Sequence, residues 1–543
     1  MQRSRIGAAL IVSLAMSVAA TAAMYGGAQL FNLTFAPFAL VDWLARAAPG
    51  GFLTFATDSM VGALQALHVA DLSTAAKIAE KAMGVTAVVT LLTAIGALVC
   101  LVALTWPRST MRLAAIAAAL TAAFLVWIVI GVGRGSVGDA VWTTLVIATW
   151  GAVIGWAWCR LLPAQAPGAV DAVRVDRRRF LINIGEASAA ITVVGATVGL
   201  VAGTRGRGAG PRLVVGTRGH GAASPARRGS YWSSTHALPN AGATVQPVAG
   251  TRPELTPVDD HYRIDINTVP PDIDGQQWRL RIKGLVQRPV ELTIEQLRAR
   301  EAVHQFITLA CISNPIAGSL TGTTRWSGVP LGQLLDELGP ASTASHLVMR
   351  SADGFDETLA IDLVRSDPRI MLTYDWDGLP LPTQHGYPLR VYIPDRYGMK
   401  QPKWIESIEV VDEWRPGYWV RRGWDREAHM KATSVIDVVG ANMMNMSGKP
   451  GAVVPIGGIA HAGARGISRV EVRMDDGPWE QAQLRQPLSG TTWVIWRYEW
   501  PFHAGEHTFV VRCVDGAGQP QITEPAPPHP SGASGLHSKT MTL

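Results

Sequence analysis

Cysteine is scarce in this sequence, with four residues among 543. Four cysteines cannot form the disulfide framework that stabilises small secreted domains, and no CxxC pair or Cys/His cluster offers a zinc site or an iron–sulfur centre. A cysteine with a function must therefore act singly.

Histidine is almost absent from the first 200 residues, where His68 is the only one. A b-type haem held between helices needs paired axial histidines on facing helices. This absence excludes haem-borne electron transfer through the N-terminal part of the chain.

Charged residues are also few, at 17%, while apolar residues make up 48% and the mean hydropathy is +0.17. Such a balance is unusual for a wholly soluble or disordered chain and indicates that part of the protein sits in lipid. Lys plus Arg exceed Asp plus Glu by only 48 − 42 = 6, so nucleic acid is not expected as a partner. The length allows three or four domains of roughly 100 to 200 residues.

Five apolar runs are long enough to cross a bilayer, which takes about 20 residues; they cover residues 6–25, 83–106, 111–132, 140–162 and 180–202. We predict a helical transmembrane domain over residues 1–203 that serves chiefly as an anchor, with quinone contact as the alternative. Asp42 and Asp58 lie between the first two runs, and a carboxylate at mid-bilayer is costly. An amphipathic surface segment is therefore expected there; if residues 52–70 cross instead, the topology inverts.

Arginines mark the connections that should face the cytoplasm. They precede the first run, lie between the second and third, and cluster between the fourth and fifth, at Arg3, Arg5, Arg108, Arg112, Arg160, Arg174, Arg177, Arg178 and Arg179. By the positive-inside rule the N-terminus is cytoplasmic and everything after the fifth run is extracytoplasmic. We predict a multi-pass protein of the cytoplasmic membrane whose C-terminal domains are exported.

The sequence DRRRFLINIG opens the fifth run. Its Arg177, Arg178, Phe180 and Leu181 resemble the twin-arginine export pattern, here internal rather than N-terminal. A chance match is the alternative, because basic residues flank many cytoplasmic helix ends. Twin-arginine export implies that the following domain folds in the cytoplasm, as it must when a cofactor is inserted before crossing.

Residues 204–252 are rich in Gly, Pro, Ser and Arg, and no Asp or Glu occurs from Thr204 to Gly250. Such a composition cannot bury a core, so we predict a mobile linker. Its positive charge favours contact with anionic headgroups.

The remaining chain divides at about residue 430. Residues 253–430 mix strand and helix signals: WRLRIKGLV alternates like a half-buried strand, Thr293 caps a helix with Gln296 in the capping-box position, and PLGQLLDELG is a short helix closed by Gly339. Residues 431–543 contain strands separated by DDG and DGAG turns. We predict an α+β domain followed by a β-sandwich.

Cys311, in QFITLACISN, is the candidate functional cysteine. Because it follows an apolar run, an inert core thiol is the simpler interpretation. Downstream, however, His385, Arg390, Lys400 and Lys403 surround Gly- and Pro-marked turns. Guanidinium and ammonium groups on turns suit a phosphate, and a thiolate suits a soft transition metal.

These motifs carry a family resemblance. Residues from about 254 to 543 resemble the sulfite oxidase superfamily of molybdopterin enzymes, and the five-span arrangement with a twin-arginine motif is similar to its membrane-anchored actinobacterial branch. The resemblance implies an α+β cofactor domain followed by an immunoglobulin-like sandwich that often dimerises, so a homodimer is possible. It also implies molybdenum–molybdopterin as the cofactor.

The resemblance also implies site residues. Cys311, in the LxCxSN context, matches the cysteine that ligates molybdenum and is catalytic. The positions that match cofactor-binding residues, chiefly those that grip the pterin phosphate, are Tyr262, Arg263, Asn314, His385, Arg390, Gln401 and Lys403.

One departure from the family concerns the substrate. Sulfite oxidases follow the asparagine with arginines that help to bind sulfite, but here Asn314 precedes Pro315 and Ile316. Each lost charge-assisted hydrogen bond is worth about 1.5–3 kcal/mol, so sulfite is disfavoured. A sulfoxide needs no arginine cluster; alternatively, cations come from Arg325, Arg396, Arg421 or Arg422.

The predicted function is a membrane-anchored oxidoreductase that moves an oxygen atom to or from a small substrate. Its electrons would pass through a soluble carrier or the quinone pool. The alternative is a non-enzymatic, membrane-anchored binding module with a degenerate cofactor domain. A transporter is disfavoured because the apolar runs hold almost no ionisable residues.

Overall fold

The computed structural model describes residues 2–49, 72–132, 135–161, 182–197, 230–440 and 453–543, with a few single positions between 52 and 67. Two compact units divide the chain. The first contains residues 1–48, 75–223 and 265–269, and the second contains residues 49–74, 224–264 and 270–543.

The first unit is helical. Its helices are α1 (Gln2–Phe31), α2 (Ala36–Ala47), α3 (Leu72–Val102), α4 (Thr110–Gly131) and α5 (Val137–Leu161), followed by a helical segment at 182–197. Among the described residues, four helices are long and apolar enough to cross a membrane: Ile6–Phe31, Thr74–Val102, Pro107–Gly131 and Val137–Leu161. They correspond to the first four predicted runs, and most of the helix ends lie within a few residues of the predicted ends.

Three predictions for this part of the chain fall wholly or partly outside the described residues. Only 182–197 of the fifth predicted run is described, and it is helical. The twin-arginine pair and most of the segment 52–70 lie outside the described residues.

Small residues allow α4 and α5 to approach closely. A methyl group added at Gly151 would lie 2.5 Å from the Ala118 side chain, and one at Gly155 would lie 2.9 Å from that of Ala114. Gly and Ala at contacting positions let helix backbones meet at short distance, which is how helices associate in lipid. The two helices therefore pack through a seam of small side chains.

The second unit begins with two five-stranded sheets. One has the order β2–β1–β10–β5–β6, and the other β3–β4–β7–β8 with β9 on β7. Only β1 and β10 of these strands pair in parallel. The strands are β1 (Leu280–Gly284), β2 (Val290–Leu292), β3 (Val303–Ala310), β4 (Thr321–Pro330), β5 (His346–Ser351), β6 (Asp356–Ala360), β7 (Met371–Trp376), β8 (Leu379–Pro380), β9 (Arg390–Tyr392) and β10 (Ile405–Val411).

Short helices connect these strands: α6 (Tyr231–Thr235), α7 (Ile294–Arg298), α8 (Leu331–Leu338) and α9 (Ile361–Ser366). Two local predictions are confirmed. Thr293 and Gln296 form a reciprocal capping box at the start of α7, and Gly339 ends α8 with a φ of 64°, which costs glycine little. The α+β character predicted for residues 253–430 follows from these elements.

The C-terminal region is a sandwich of two four-stranded antiparallel sheets, β11–β12–β16–β15 and β14–β13–β17–β18. Side chains of both sheets, among them Ile456, Trp496, Phe509 and Val511, form one core. The strands are β11 (Thr433–Val439), β12 (Val453–His461), β13 (Ile467–Met474), β14 (Glu480–Gln481), β15 (Gln483–Leu484), β16 (Val494–Pro501), β17 (Glu506–Asp515) and β18 (His537–Thr542). The predicted β-rich tail is thus present.

The predicted linker needs a correction at its C-terminal end. Residues 204–229 lie outside the described residues, but residues 230–252 are attached to the second unit. Ser230 donates a hydrogen bond to Asp377, and Arg252 forms an ion pair with Asp437 at 3.0 Å. Composition alone missed this because the acidic partners lie more than a hundred residues downstream.

Candidate cofactor site

Cys311 lies immediately after β3, where a tight turn leads into β4. Its main-chain N–H donates to Leu320 O at 2.9 Å, and the Asn314 N–H donates back to Cys311 O at 3.1 Å. The Asn314 side-chain oxygen accepts from Leu320 N at 2.9 Å. Asn314 therefore fixes the turn that presents the cysteine, and its side-chain oxygen is already used for that purpose.

Burial controls the Cys311 thiol. The residue is only 7% exposed, and burial raises the pKa of the thiol, while a hydrogen bond from Ser313 and the charge of Lys403 lower it in part. Its sulfur lies 3.0 Å from Ser313 Oγ. A thiolate at this position therefore needs a nearby positive charge, which a bound metal ion supplies.

The predicted phosphate-binding residues converge around Gly386. This glycine has a φ of 117°, and an added methyl group would lie 3.1 Å from Lys403 Cβ and 3.3 Å from Arg390 Cβ. Arg390 donates to the main-chain oxygen of His385 at 3.0 Å. Lys403 donates to Gln384 O at 3.3 Å. His385, Arg390 and Lys403 are thus brought together at one turn.

Two tryptophans cover the Arg390 guanidinium. Its carbon lies 4.7 Å from the Trp326 ring centre and 4.9 Å from that of Trp376. Trp376 also lies 4.8 Å from the His385 ring and 4.6 Å from the His261 ring. Aromatic faces attract a cation, but they cannot replace an anion as its partner.

The cluster is rich in basic side chains. Burial lowers the pKa of Arg390 to about 10, and among the described residues no Asp or Glu contributes to its charge environment. Burial lowers the pKa of His385 as well, and the charges of His261, Lys403, Arg390 and Arg263 add to this effect. A buried cation is costly unless it is paired, so the cluster suits a bound anion.

Several buried polar atoms at these positions have no hydrogen-bond partner. They are Trp326 Nε1, Trp376 Nε1, Arg390 Nε and Gln401 Oε1. Buried polar groups are almost always satisfied in native proteins. These atoms, together with the cation cluster and Cys311, fit an anionic, polar cofactor that carries a soft metal.

The structure brings most of the predicted site residues close together. Tyr262 shares a buried cluster with Cys311, and burial together with Cys311 raises the pKa of its hydroxyl. Arg263 acts on His385 through its charge. Gln401 donates to Arg396 O at 2.9 Å and is 3% exposed, so its main visible contact is with the backbone.

Lys400 does not join the cation cluster. Its ammonium lies 2.6 Å from the carboxylate of Glu357, and both side chains are buried. A buried lysine beside a buried glutamate is neutralised. The sequence pattern that suggested a phosphate contact for Lys400 was therefore wrong.

The arginines considered as substitutes for the sulfite-binding cations are all engaged. Arg325 lies 3.6 Å from the Trp232 ring centre, and Arg422 lies 3.6 Å from that of Tyr418. The others bind side chains: Arg396 contacts His429 and Glu427, and Arg421 binds Asp356.

Three residues of the site were not predicted: His261, Trp326 and Trp376. His261 precedes the predicted Tyr262, so its position in the sequence was the only signal. The tryptophans lie in β4 and at the end of β7, and they register opposite each other on these neighbouring strands. Strand pairing of this kind is not visible in local sequence.

A family model and several known proteins are similar to this chain. Residues 266–419 match the family model described as oxidoreductase molybdopterin binding domain. The sulfite oxidase of Arabidopsis thaliana is 27% identical over 281 residues, which are 43% of this chain and 70% of that protein. The sulfite oxidase of Gallus gallus is 26% identical over 303 residues, 47% of this chain and 66% of that protein.

Two further proteins are similar. The putative protein-methionine-sulfoxide reductase subunit YedZ1 of Azospira oryzae is 29% identical over 155 residues, 28% of this chain and 56% of that protein. The crystal structure of the sulfane dehydrogenase SoxCD from Paracoccus pantotrophus aligns with 20% identity and a TM-score of 0.47, over 61% of this chain and 96% of that one.

The family-model match and the sulfite oxidase relatives support a place in the sulfite oxidase superfamily. They support a sulfite oxidase-like oxidoreductase and imply molybdenum–molybdopterin as its cofactor. The four apolar helices associate the chain with a lipid bilayer.

Proposed function

We propose that this chain is a membrane-anchored molybdopterin oxidoreductase that transfers an oxygen atom to or from a small substrate at the extracytoplasmic face. The proposal rests chiefly on the buried Arg390, which has no carboxylate partner among the described residues. Arg390 lies at the same turn as Lys403, whose charge acts on the Cys311 thiol. Such a cation is stable only beside an anion, and a pterin phosphate supplies one.

Each side chain has a defined task in this proposal. Cys311 would ligate molybdenum through its sulfur. Arg390, Lys403, His385 and Arg263 would hold the pterin phosphate, and the remaining predicted residues, Tyr262, Asn314 and Gln401, would shape the cofactor pocket. The cofactor supplies oxygen transfer and the two-electron change when bound, and the protein supplies position and charge.

The substrate follows from the charges near the site. Arg396 and Arg421 pair with carboxylates, and Arg325 and Arg422 donate to Ser327 Oγ and Tyr418 O. Pro315 and Ile316 replace the arginines that follow the asparagine in sulfite oxidases. A dianion would find few available donors. We therefore favour a substrate without net charge at its reacting oxygen, such as a sulfoxide, over sulfite.

The extracytoplasmic location is supported by contacts inside the first unit. Asp42 lies in the connection between the first two predicted runs, and Lys77 lies near the start of α3, before the second run; the arginine distribution assigns both positions to the outside. Both contact residues 265–269, which also follow the fifth run and are assigned to the outside. The contacts are therefore consistent with one side of the membrane for both parts of the chain. A soluble carrier or the quinone pool would exchange electrons, and the sandwich would provide a dimer contact.

Metal analysis tests the function. The full chain is purified from a host that makes molybdopterin, as wild type, as Cys311→Ser and as Cys513→Ser. Cys513 is a matched control because it is also a buried free cysteine, at 1% exposure, in the sandwich core. We expect near-stoichiometric molybdenum in wild type and in the control, and almost none in Cys311→Ser.

A folded wild-type chain without molybdenum would reject the enzyme in favour of a binding module with a degenerate cofactor domain. Equal metal in Cys311→Ser and wild type would remove Cys311 as the ligand. The substrate would then be sought by adding sulfite, sulfoxides and nitrate to the loaded protein and recording the molybdenum signal.

A further inference from the structure

Five residues that follow the predicted linker belong to the helical first unit. They are residues 265–269, and only Ile264 separates them from Tyr262 and Arg263, two of the predicted cofactor contacts. The chain therefore passes from the cofactor residues into the first unit within two residues, which span at most about 7 Å.

Three charged side chains of the first unit bind this segment. The Asp42 carboxylate accepts hydrogen bonds from the main-chain N–H and the hydroxyl of Thr268, both at 2.6 Å. The Lys77 ammonium lies 3.4 Å from an Asp265 carboxylate oxygen and donates to Asp265 O at 3.0 Å. These contacts involve both the backbone and the side chains of the segment.

Arg46 adds a third attachment. Its guanidinium donates to the Asn267 side chain at 3.0 Å and to Val132 O at 2.9 Å. The same side chain thus links the segment to the connection between α4 and α5.

These groups are buried. Asn267 and Thr268 are each 1% exposed, Asp42 is 7% exposed, and the Asp265 side chain is 1% exposed. Exposed ion pairs contribute little, but removing one partner of a buried pair leaves an uncompensated group and is strongly destabilising. The segment is therefore held in one conformation by side chains that come from α2 and α3.

We propose that Asp42, Arg46 and Lys77 are positioning residues. Through them the helical first unit holds the segment 265–269 and thereby the adjoining Tyr262 and Arg263. The first unit therefore takes part in cofactor retention as well as in anchoring. This inference rests on the proposed function. It assigns to the helices a task that neither their length nor their hydropathy suggests.

The experiment compares full-length variants purified from the molybdopterin-producing host. Asp42→Ala removes the acceptor for Thr268, whereas Asp42→Asn retains one oxygen. Asp139→Ala is the matched control, because Asp139 is a buried carboxylate of the same unit that binds Ser136 and Thr34 instead. The readouts are molybdenum and pterin per chain and the line shape of the molybdenum spectroscopic signal.

We expect Asp42→Ala to retain about tenfold less cofactor after gel filtration, a loss typical of residues that orient a ligand from behind. Asp42→Asn should recover most of it, and Asp139→Ala should match wild type. Equal cofactor and equal line shape in all variants would overturn the inference while leaving the proposed function intact. A metal-free wild type would instead overturn the proposed function.

A charge exchange covers the case in which Asp42→Ala fails to fold. Lys77→Asp and Asp265→Lys are made singly and together. The inference requires that each single variant lose cofactor and that the double variant regain it, because only the double variant restores the opposed charges. Loss of cofactor in the double variant equal to that in the singles would contradict it.

Discussion

Arg390 donates a hydrogen bond to the main-chain oxygen of His385 at 3.0 Å, five residues earlier in the chain. The bond closes the turn that contains Gly386 and aims the buried guanidinium between Trp326 and Trp376. No carboxylate of the described residues offsets this charge, so the turn suits a bound anion.

Arg390→Ala should release the cofactor. Loss of charge-assisted hydrogen bonds, each about 1.5–3 kcal/mol, lowers the affinity for a phosphate by roughly tenfold or more. Molybdenum per chain after extensive dialysis measures the effect. Arg300→Ala is the control, because Arg300 binds Glu337 on the surface; a similar loss there would show that the effect is not specific.

Arg390→Met should stabilise the cofactor-free protein. A buried cation without a carboxylate is destabilising, and replacement by an apolar side chain of similar length is worth about 1 kcal/mol or more. Thermal unfolding of the full chain produced without molybdate measures this. A lower melting temperature for Arg390→Met than for wild type would show that the guanidinium stabilises the fold without an anion.

Replacing Arg177 and Arg178 by lysine should stop export of the C-terminal domains. Twin-arginine recognition depends on the arginine pair, whereas the positive-inside rule is satisfied by lysine. Protease accessibility of the C-terminus in spheroplasts measures export, with Arg174→Lys as the control. Unchanged protease accessibility in the paired variant would indicate that the motif is a chance match to the twin-arginine pattern.

His461 should make the unfolding free energy depend on pH. Burial lowers its pKa to about 4, below the value of about 6.5 in an unfolded chain. The unfolded state therefore binds more protons between these values, and stability falls as the pH drops from about 6.5 towards 4, by at most about 1.4 kcal/mol per pH unit.

Denaturant unfolding of the full chain at pH 7, 5.5 and 4.5 measures this slope. His461→Gln should reduce it, whereas His503→Gln, which changes an exposed histidine, should leave it unchanged. The same slope in His461→Gln and wild type would assign the pH dependence to other groups.

Local sequence was sufficient for several features of this protein. The four described spans, the capping box of α7, the end of α8 at Gly339 and the strands of the sandwich each depend on residues within a few positions of one another. Cys311, His385, Arg390 and Lys403 could also be recognised from the sequence, because each belongs to a short family motif. Periodicity and turn chemistry determine such features locally.

The tertiary structure decided which charged groups meet. Lys400 binds Glu357, 43 residues away. It therefore does not join the cation cluster, although its neighbours in the sequence suggested that it would. Trp326 and Trp376 come to Arg390 through strand pairing, and Asp42 reaches Thr268 across 226 residues. The partner of a buried charge is chosen by packing and desolvation over the whole chain, and no local pattern contains that information.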